Sequence, residues 1–275
     1  MILVTGATGN VGREVAAGLA RRGESVRALV RDPAKAALPD GVQAVAGDLA
    51  RPESTRSAFR DVDRLFLLPG YPGMARVAAD ARVTRTVQLS GGSAGSGDQS
   101  NAVTRYMERS EQEVREAEVE WTFLRPCAFM SNTLRWLPQL TTGDVVRAPF
   151  ADVPLASIDP ADIAAVAVAA LVEDGHHAMI YRLTGPEALL PEQQLAILAD
   201  VLQRPLRFEA QANDDARRSM LETTPPEYVG AFFDFYVNGS IDESTVRPTV
   251  RDVTGRPPTT LETWARNHAA EFTAA

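Results

Sequence analysis

The sequence predicts an α/β protein organised around a doubly wound parallel sheet. Short apolar runs alternate with helical patterns through the first 130 residues. A turn punctuated by Gly6, Gly9 and Gly12 separates the first apolar run from the first helical pattern. The balance of 45% hydrophobic and 23% charged residues is ordinary for a globular chain with a large core.

Residues 2–4 read as the first strand, and residues 10–22 as a helix with Val11, Val15, Ala16 and Leu19 on one face. Gly23 supplies its stop. Further strands follow at 25–30, 42–46, 64–68 and 85–89. A charged helix covers 102–117, and a sixth strand, 120–124, is closed by Arg125-Pro126. Asp159 and Pro160 suit the cap and first position of a helix, with Asp162 placed to return a bond to the cap. The stretch that follows, 163–172, is apolar on nearly every side and is expected between the sheet and a smaller lobe. Residues 179–183 read as a strand, 192–202 as a helix and 259–268 as a last helix. Thr224 and Glu227 form a capping box that opens an aromatic-rich helix to residue 237. No repeat or flexible linker is visible, so residues 1–275 are expected to fold as one body. The smaller, C-terminal substrate lobe is expected from about 131–155 and 175–275.

The formal net charge of −8 argues against a nucleic-acid partner. The longest apolar run, 163–172, is half of what a membrane span needs, and no targeting segment is visible. A single cysteine, Cys127, removes an internal disulfide framework and a cysteine-based zinc site, and fits a reducing, cytoplasmic setting. His176 and His177 lack partners at metal-ligand spacing and read as a surface turn, so no metal is expected.

The strongest signal is Thr5-Gly6-Ala7-Thr8-Gly9-Asn10-Val11-Gly12, between a strand and a helix. Gly6 permits the tight turn, Gly9 lets backbone approach a pyrophosphate, and Gly12 allows helix to pack on strand. The helix start offers unpaired N–H groups to the phosphates. This marks a Rossmann-type sheet that binds a dinucleotide, with Thr8, Asn10 and Val11 beside the phosphates. Arg31 ends the second strand, where its guanidinium can bond a 2′-phosphate, and Lys35 adds a second positive charge. Asp32 is the counter-signal for NAD, but NADP(H) is preferred over NAD(H). Asp48 and Leu49, after the third strand, are placed to edge the adenine.

These motifs, with Leu89-Ser90, Trp121-Thr122-Phe123-Leu124-Arg125-Pro126, Phe129-Met130-Ser131-Asn132 and the 253–265 stretch, resemble the NmrA-like atypical short-chain dehydrogenases/reductases. Their NADPH-dependent quinone oxidoreductase branch is included, and the resemblance spans nearly the whole chain. It implies that the nicotinamide lies by Leu68, Ser90, Gly91 and Pro126. Substrate is implied against Phe129, Asn132, Trp136 and the helix start near Tyr106. The segment 73–84 looks shorter than usual for the family, so its helix is expected to be truncated.

The wider superfamily uses a tyrosine as acid and a lysine four residues later. This chain cannot hold that pair, because its only lysine is Lys35. In the corresponding helix Met107 takes the tyrosine position and Glu111 the lysine position. Tyr106 and Ser90 remain as candidate catalytic hydroxyls. Three functional readings follow. One is hydride transfer to a quinone or polycyclic aromatic, which needs little help with protons. The second is a monooxygenase-like tailoring enzyme of aromatic polyketide biosynthesis. The third is a non-catalytic NADP(H)-sensing regulator. Tyr228, Phe232, Phe233, Phe235 and Tyr236 read first as core and second as an aromatic pocket wall. The glycine-rich loop 91–97 is a candidate lid, with simple mobility the plainer reading. Cys127 reads as a buried, inert thiol. A small-molecule aromatic or quinone partner and a homodimer complete the expectations.

Overall fold

The computed structural model describes residues 1–273. The chain runs β1 (Ile2–Thr5), α1 (Asn10–Arg21), β2 (Val26–Val30), β3 (Gln43–Ala46), β4 (Arg64–Leu67), α2 (Met74–Asp80), β5 (Arg85–Leu89), α3 (Ala102–Glu116) and β6 (Glu120–Pro126). It continues α4 (Leu137–Leu140), β7 (Val145–Ala148), α5 (Pro160–Val172), β8 (Met179–Leu183), α6 (Pro191–Leu202), β9 (Arg207–Ala210) and α7 (Asn213–Leu221). It ends α8 (Pro226–Tyr236), α9 (Thr249–Thr254), α10 (Leu261–Asn267) and α11 (Ala269–Thr273). Two 3-10 turns, Pro52–Phe59 and Met130–Trp136, complete the inventory among the described residues.

The main sheet has seven strands in the order β3-β2-β1-β4-β5-β6-β8, all parallel. Its order reverses beside β1, which is where open α/β sheets bind ligands, at the carboxyl ends of the strands. β1 and β2 are buried at every position, as strands covered on both faces must be. Along β1, Ile2 and Val4 join one core with α1 and α5, while Leu3 joins the other with α2. That alternation follows from the two-residue period of a strand.

The seven expected strands of the main sheet form, and β6 runs further than expected, carrying Arg125 and Pro126 into the sheet. The short α2 matches the expected truncation before β5. Three expectations are corrected. The lobe does not begin at 175, because β8 pairs with β6 in the main sheet. Instead Leu140, Val146, Leu195, Leu198, Leu261 and Trp264 make its core. Asp159 caps α5 through Ala161 N–H at 2.9 Å, but Asp162 does not bond back to the cap. Its Oδ2 accepts from Thr259 N–H at 2.6 Å, tying α5 to the lobe instead. Thr224 caps nothing: Pro226 takes the first helical position, which makes Pro225 the cap and leaves Thr224 outside α8. α5 packs beside α1 on the sheet, with α9 against it.

Candidate active site

The turn after β1 is shaped by its glycines. Gly6 has φ of 63°, in the left-handed region. A Cβ on Gly12 would stand 2.2 Å from the Gly6 carbonyl oxygen, so helix and turn touch backbone to backbone. Gly9 occupies the cap of α1 without any side-chain cap bond. The first N–H groups of α1 therefore face the cleft unshielded by a side chain, as a pyrophosphate cradle requires.

A cleft of about 1120 Å³ opens there. Gly6, Thr8, Gly9, Asn10 and Val11 line its middle. Arg31, Lys35, Asp48 and Leu49 line one end, and Leu68, Leu89 and Phe129 the other. Arg31 is exposed, with no hydrogen bond or ion pair to any described residue. Asp32, the counter-signal, is occupied: it accepts from Ala34 N–H at 3.1 Å and pairs with Lys35 Nζ at 3.1 Å. Lys35 is thereby held by Asp32 rather than aimed at the cleft alone. Asp48 bonds within its own turn, accepting from Ala50 N–H and Arg51 Nε. These residues fit a nicotinamide dinucleotide carrying a 2′-phosphate.

Ser90, Gly91 and Pro126 stand just past the cleft, at the ends of β5 and β6. Ser90 is 4% exposed and its hydroxyl donates to Glu111 Oε1 at 2.7 Å. Glu111, 1% exposed, also receives Arg125 Nε at 2.8 Å and Nη2 at 2.6 Å, and Arg115 Nη2 at 3.0 Å. Burial alone would raise the Glu111 pKa. The bonds from Arg125 and Ser90, with the charges of Arg125 and Arg115, outweigh it and hold the carboxyl below its usual range.

Both expected catalytic hydroxyls already donate to a partner, although Tyr106 itself is exposed. Ser90 is committed to Glu111. Tyr106 donates to the Pro69 carbonyl at 2.9 Å and lies over Gly70, where a Cβ would overlap the phenol. Burial raises its pKa further. Met107, not Tyr106, faces Gly91, at 3.3 Å from where a Cβ would stand. Phe129 lines the cleft, whereas Asn132 is exposed outside it and Trp136 packs against the lobe core. The 91–97 loop is not a free lid: Glu108 Oε1 accepts from Gly95 and Gly97 N–H, at 2.8 and 3.0 Å. Phe233 and Phe235 are buried, and Phe233 meets Phe150 edge-on, as core aromatics do. Cys127 is buried, and burial pushes its thiol far up.

One carboxyl that sequence reasoning missed stands over Gly92. Glu243 Oε1 lies 3.1 Å from the position of a Gly92 Cβ, and Oε2 accepts from the Tyr236 hydroxyl at 2.9 Å. The Glu243 carbonyl accepts from Ala156 N–H at 2.7 Å, which fixes the loop that carries it. Burial raises the Glu243 pKa, and the bond from Tyr236 offsets part of that. Its loop has no periodicity, so no sequence signal points to it. Glu111 with Arg125 carried one: a carboxylate in the lysine position and an arginine at the end of a buried strand.

The site defines a dinucleotide-dependent oxidoreductase without the usual tyrosine–lysine relay. Residues 6–174 match the NAD(P)H-binding family, so the chain belongs to that family and is an NAD(P)H-dependent oxidoreductase. It is 42% identical over 280 residues to the (4-alkanoyl-5-oxo-2,5-dihydrofuran-3-yl)methyl phosphate reductase of Streptomyces griseus, covering 99% of each chain. It is 35% identical over 286 residues to the NAD(P)H azoreductase of Xenophilus azovorans, covering 100% of each. Its fold matches the NADPH-bound quinone oxidoreductase of Escherichia coli with a TM-score of 0.81, at 23% identity over 97% of this chain and 99% of that one. The expected NAD(P)H-dependent reductase character is thus borne out. Among the described residues no helix is long and apolar enough to cross a membrane.

Proposed function

We propose that the chain is an NADPH-dependent reductase of an electron-poor conjugated acceptor, an acyl-substituted unsaturated lactone bearing a phosphomethyl group. The observation that carries this reading is the occupant of the relay position. Met107 faces Gly91, and Glu111 is neutralised by Arg125 and Arg115. No strong acid stands there, so the acceptor must itself hold the charge that hydride brings. The compound in the Streptomyces relative's name does this. Its ring double bond is conjugated to both the ring carbonyl and the alkanoyl carbonyl. Hydride at the carbon bearing the phosphomethyl group leaves an enolate spread over two oxygens, and the adjacent carbon then takes a proton. Azo compounds and quinones share this property, which makes a simple quinone the second acceptor class.

The reduced nicotinamide supplies the hydride when bound. The chain's own residues do the rest. Arg31 reads the 2′-phosphate through charge-assisted bonds. Leu68, Leu89 and Phe129 form an apolar wall that excludes water at the reacting end. Glu243, hydrogen-bonded by Tyr236 and standing over Gly92, supplies the proton. The test is loss of NADPH absorbance with the synthetic lactone phosphate, and a product heavier by two hydrogens. No turnover of that compound removes the lactone; no turnover of it or of any quinone removes the whole reading. Arg31→Ala is expected to raise KM for NADPH roughly 10- to 100-fold while changing NADH little. Equal loss with both cofactors contradicts the 2′-phosphate assignment.

A further inference from the structure

Arg125 and Arg182 are register partners on β6 and β8, and so stand side by side on one face of the sheet. Like charges in that relation repel, unless something anionic lies between or beside them. Arg125 is relieved by Glu111, which takes its Nε and Nη2. Its Nη1 makes no hydrogen bond to a described residue and lies against Gly95, 2.5 Å from where a Cβ would stand. Arg182 is exposed and has no acidic partner among the described residues. A third guanidinium comes from the loop after α8. The Arg247 N–H donates to Thr184 Oγ1 at 2.9 Å, which seats Arg247 beside the end of β8, and its side chain also has no acidic partner among the described residues.

All three arginines line one cavity of about 230 Å³, together with Gly92, Ser93 and Thr184. Asp242 and Glu243 share its wall; both Asp242 oxygens and Oε2 of Glu243 are engaged. Asp242 accepts from Ser244 and Thr245, which hold its pKa at about 2, and Glu243 accepts from Tyr236. The cavity therefore holds two guanidinium groups with open donors, beside an Asp242 carboxylate whose oxygens are already bonded. Its position matters as much. Gly92 and Cys127 on its wall directly follow Gly91 and Pro126, which stand just past the cofactor cleft. In the lactone phosphate, only three bonds separate the phosphorus from the carbon that takes hydride.

We propose that this cavity is an anion subsite for a phosphate monoester, with Arg182 and Arg247 making charge-assisted bonds to the substrate's phosphoryl oxygens. Ser93 and Thr184 add hydroxyl donors, and Arg125 offers Nη1. The subsite rests on the reading above that the substrate is phosphorylated. It turns phosphate into a handle that sets the register of the lactone over Gly91 and Gly92, so its loss affects selection as well as binding.

The experiment compares wild type with Arg182→Ala, Arg247→Ala and the double variant. Arg125 is left in place because its removal strands Glu111. Both mutated side chains are exposed, and a thermal melt confirms folding. The first readout is the ratio of kcat/KM for the lactone phosphate to that for its dephosphorylated alcohol. Each single variant is expected to lower this ratio roughly tenfold or more. An unchanged ratio overturns the proposal. The second readout is calorimetric titration of phenyl phosphate into the protein saturated with NADP+, which occupies the pyrophosphate turn. Binding in wild type that is lost in the double variant supports the subsite; binding that survives, or none in wild type, overturns it. If wild type reduces a quinone but not the lactone phosphate, the substrate reading fails by itself. The titration then decides the subsite alone.

Discussion

At position 111 the superfamily's lysine would stand opposite Ser90; this chain puts a carboxylate there and buries it under two arginines. A buried charge is tolerated only while its partners stay. Glu111→Ala leaves Arg125, 8% exposed, without its bidentate partner. The loss expected in urea denaturation is about 3–5 kcal/mol. The pH dependence has a definite sign. The folded pKa of Glu111 is depressed, so its contribution is full above the ordinary glutamate value of 4.5 and is lost as pH falls through the lower folded value. The gap between wild type and variant should therefore narrow in acid. Glu243 behaves oppositely, because its folded pKa is raised. Between 4.5 and that raised value the native state holds a proton that the unfolded chain has lost, so stability falls as pH rises through this window. Glu243→Gln should abolish that slope and flatten the alkaline fall of kcat, at a lower plateau. A variant whose kcat profile matches wild type would remove Glu243 from proton delivery. At this scale the sequence was legible as residue types, not directions. Tyr106 and Ser90 are real hydroxyls, yet their partners, the Pro69 carbonyl and Glu111, lie 37 and 21 residues away.

The legible elements are those whose burial writes a period into the sequence. β1 and β2 are largely apolar runs because helices cover both faces. α1 shows its stripe because it packs against β1 and α5. β7 and β9 were invisible because they form a small separate pair, and β9 has no buried residue. Helix α7 is mostly exposed and the turn Pro52–Phe59 half so, and short polar elements have no apolar stripe to read. Thr224 misled because capping chemistry was present one residue too early for the proline that starts α8. The turn before α1 was read correctly and can be dissected. Gly12→Ala drives a Cβ into the Gly6 carbonyl, at 2.2 Å, and is expected to cost about 1–3 kcal/mol of stability. Gly9→Ala meets the same oxygen at 3.4 Å, an ordinary contact, but intrudes on the open N–H groups of α1. It should leave the melting temperature nearly unchanged while weakening NADPH in calorimetry. If both variants lose stability equally, the two glycines do not have separate tasks.

Across the whole molecule, the cleft is closed by bonds that cross from sheet to lobe. Asn10 Nδ2 donates to Ser131 Oγ at 3.1 Å, and Asp162 in α5 holds Thr259 N–H. Ala156 N–H donates to the Glu243 carbonyl. Of these, the Asn10 bond starts from a residue that lines the cofactor cleft and ties that edge to the segment after β6. The sequence showed the main sheet but not these links, because residues brought together from 121 or 97 positions apart leave no local pattern. A ligand that binds only the folded state stabilises it by about 2.7 kcal/mol at a hundred times its Kd. For a domain somewhat larger than 150–250 residues, about 2 °C per kcal/mol is the scale, so NADPH should raise the melting temperature by on the order of 5 °C. NADH at equal concentration should raise it less, because Arg31 meets no 2′-phosphate there. The melt should remain a single transition in both cases, since sheet and lobe share these bonds. Arg31→Ala should bring the NADPH shift down to the NADH shift without lowering the melting temperature of the free protein, because Arg31 has no bond among the described residues to lose. A variant that keeps the larger NADPH shift would place the 2′-phosphate on another residue, with Lys35 the nearest cation on the same edge of the cleft.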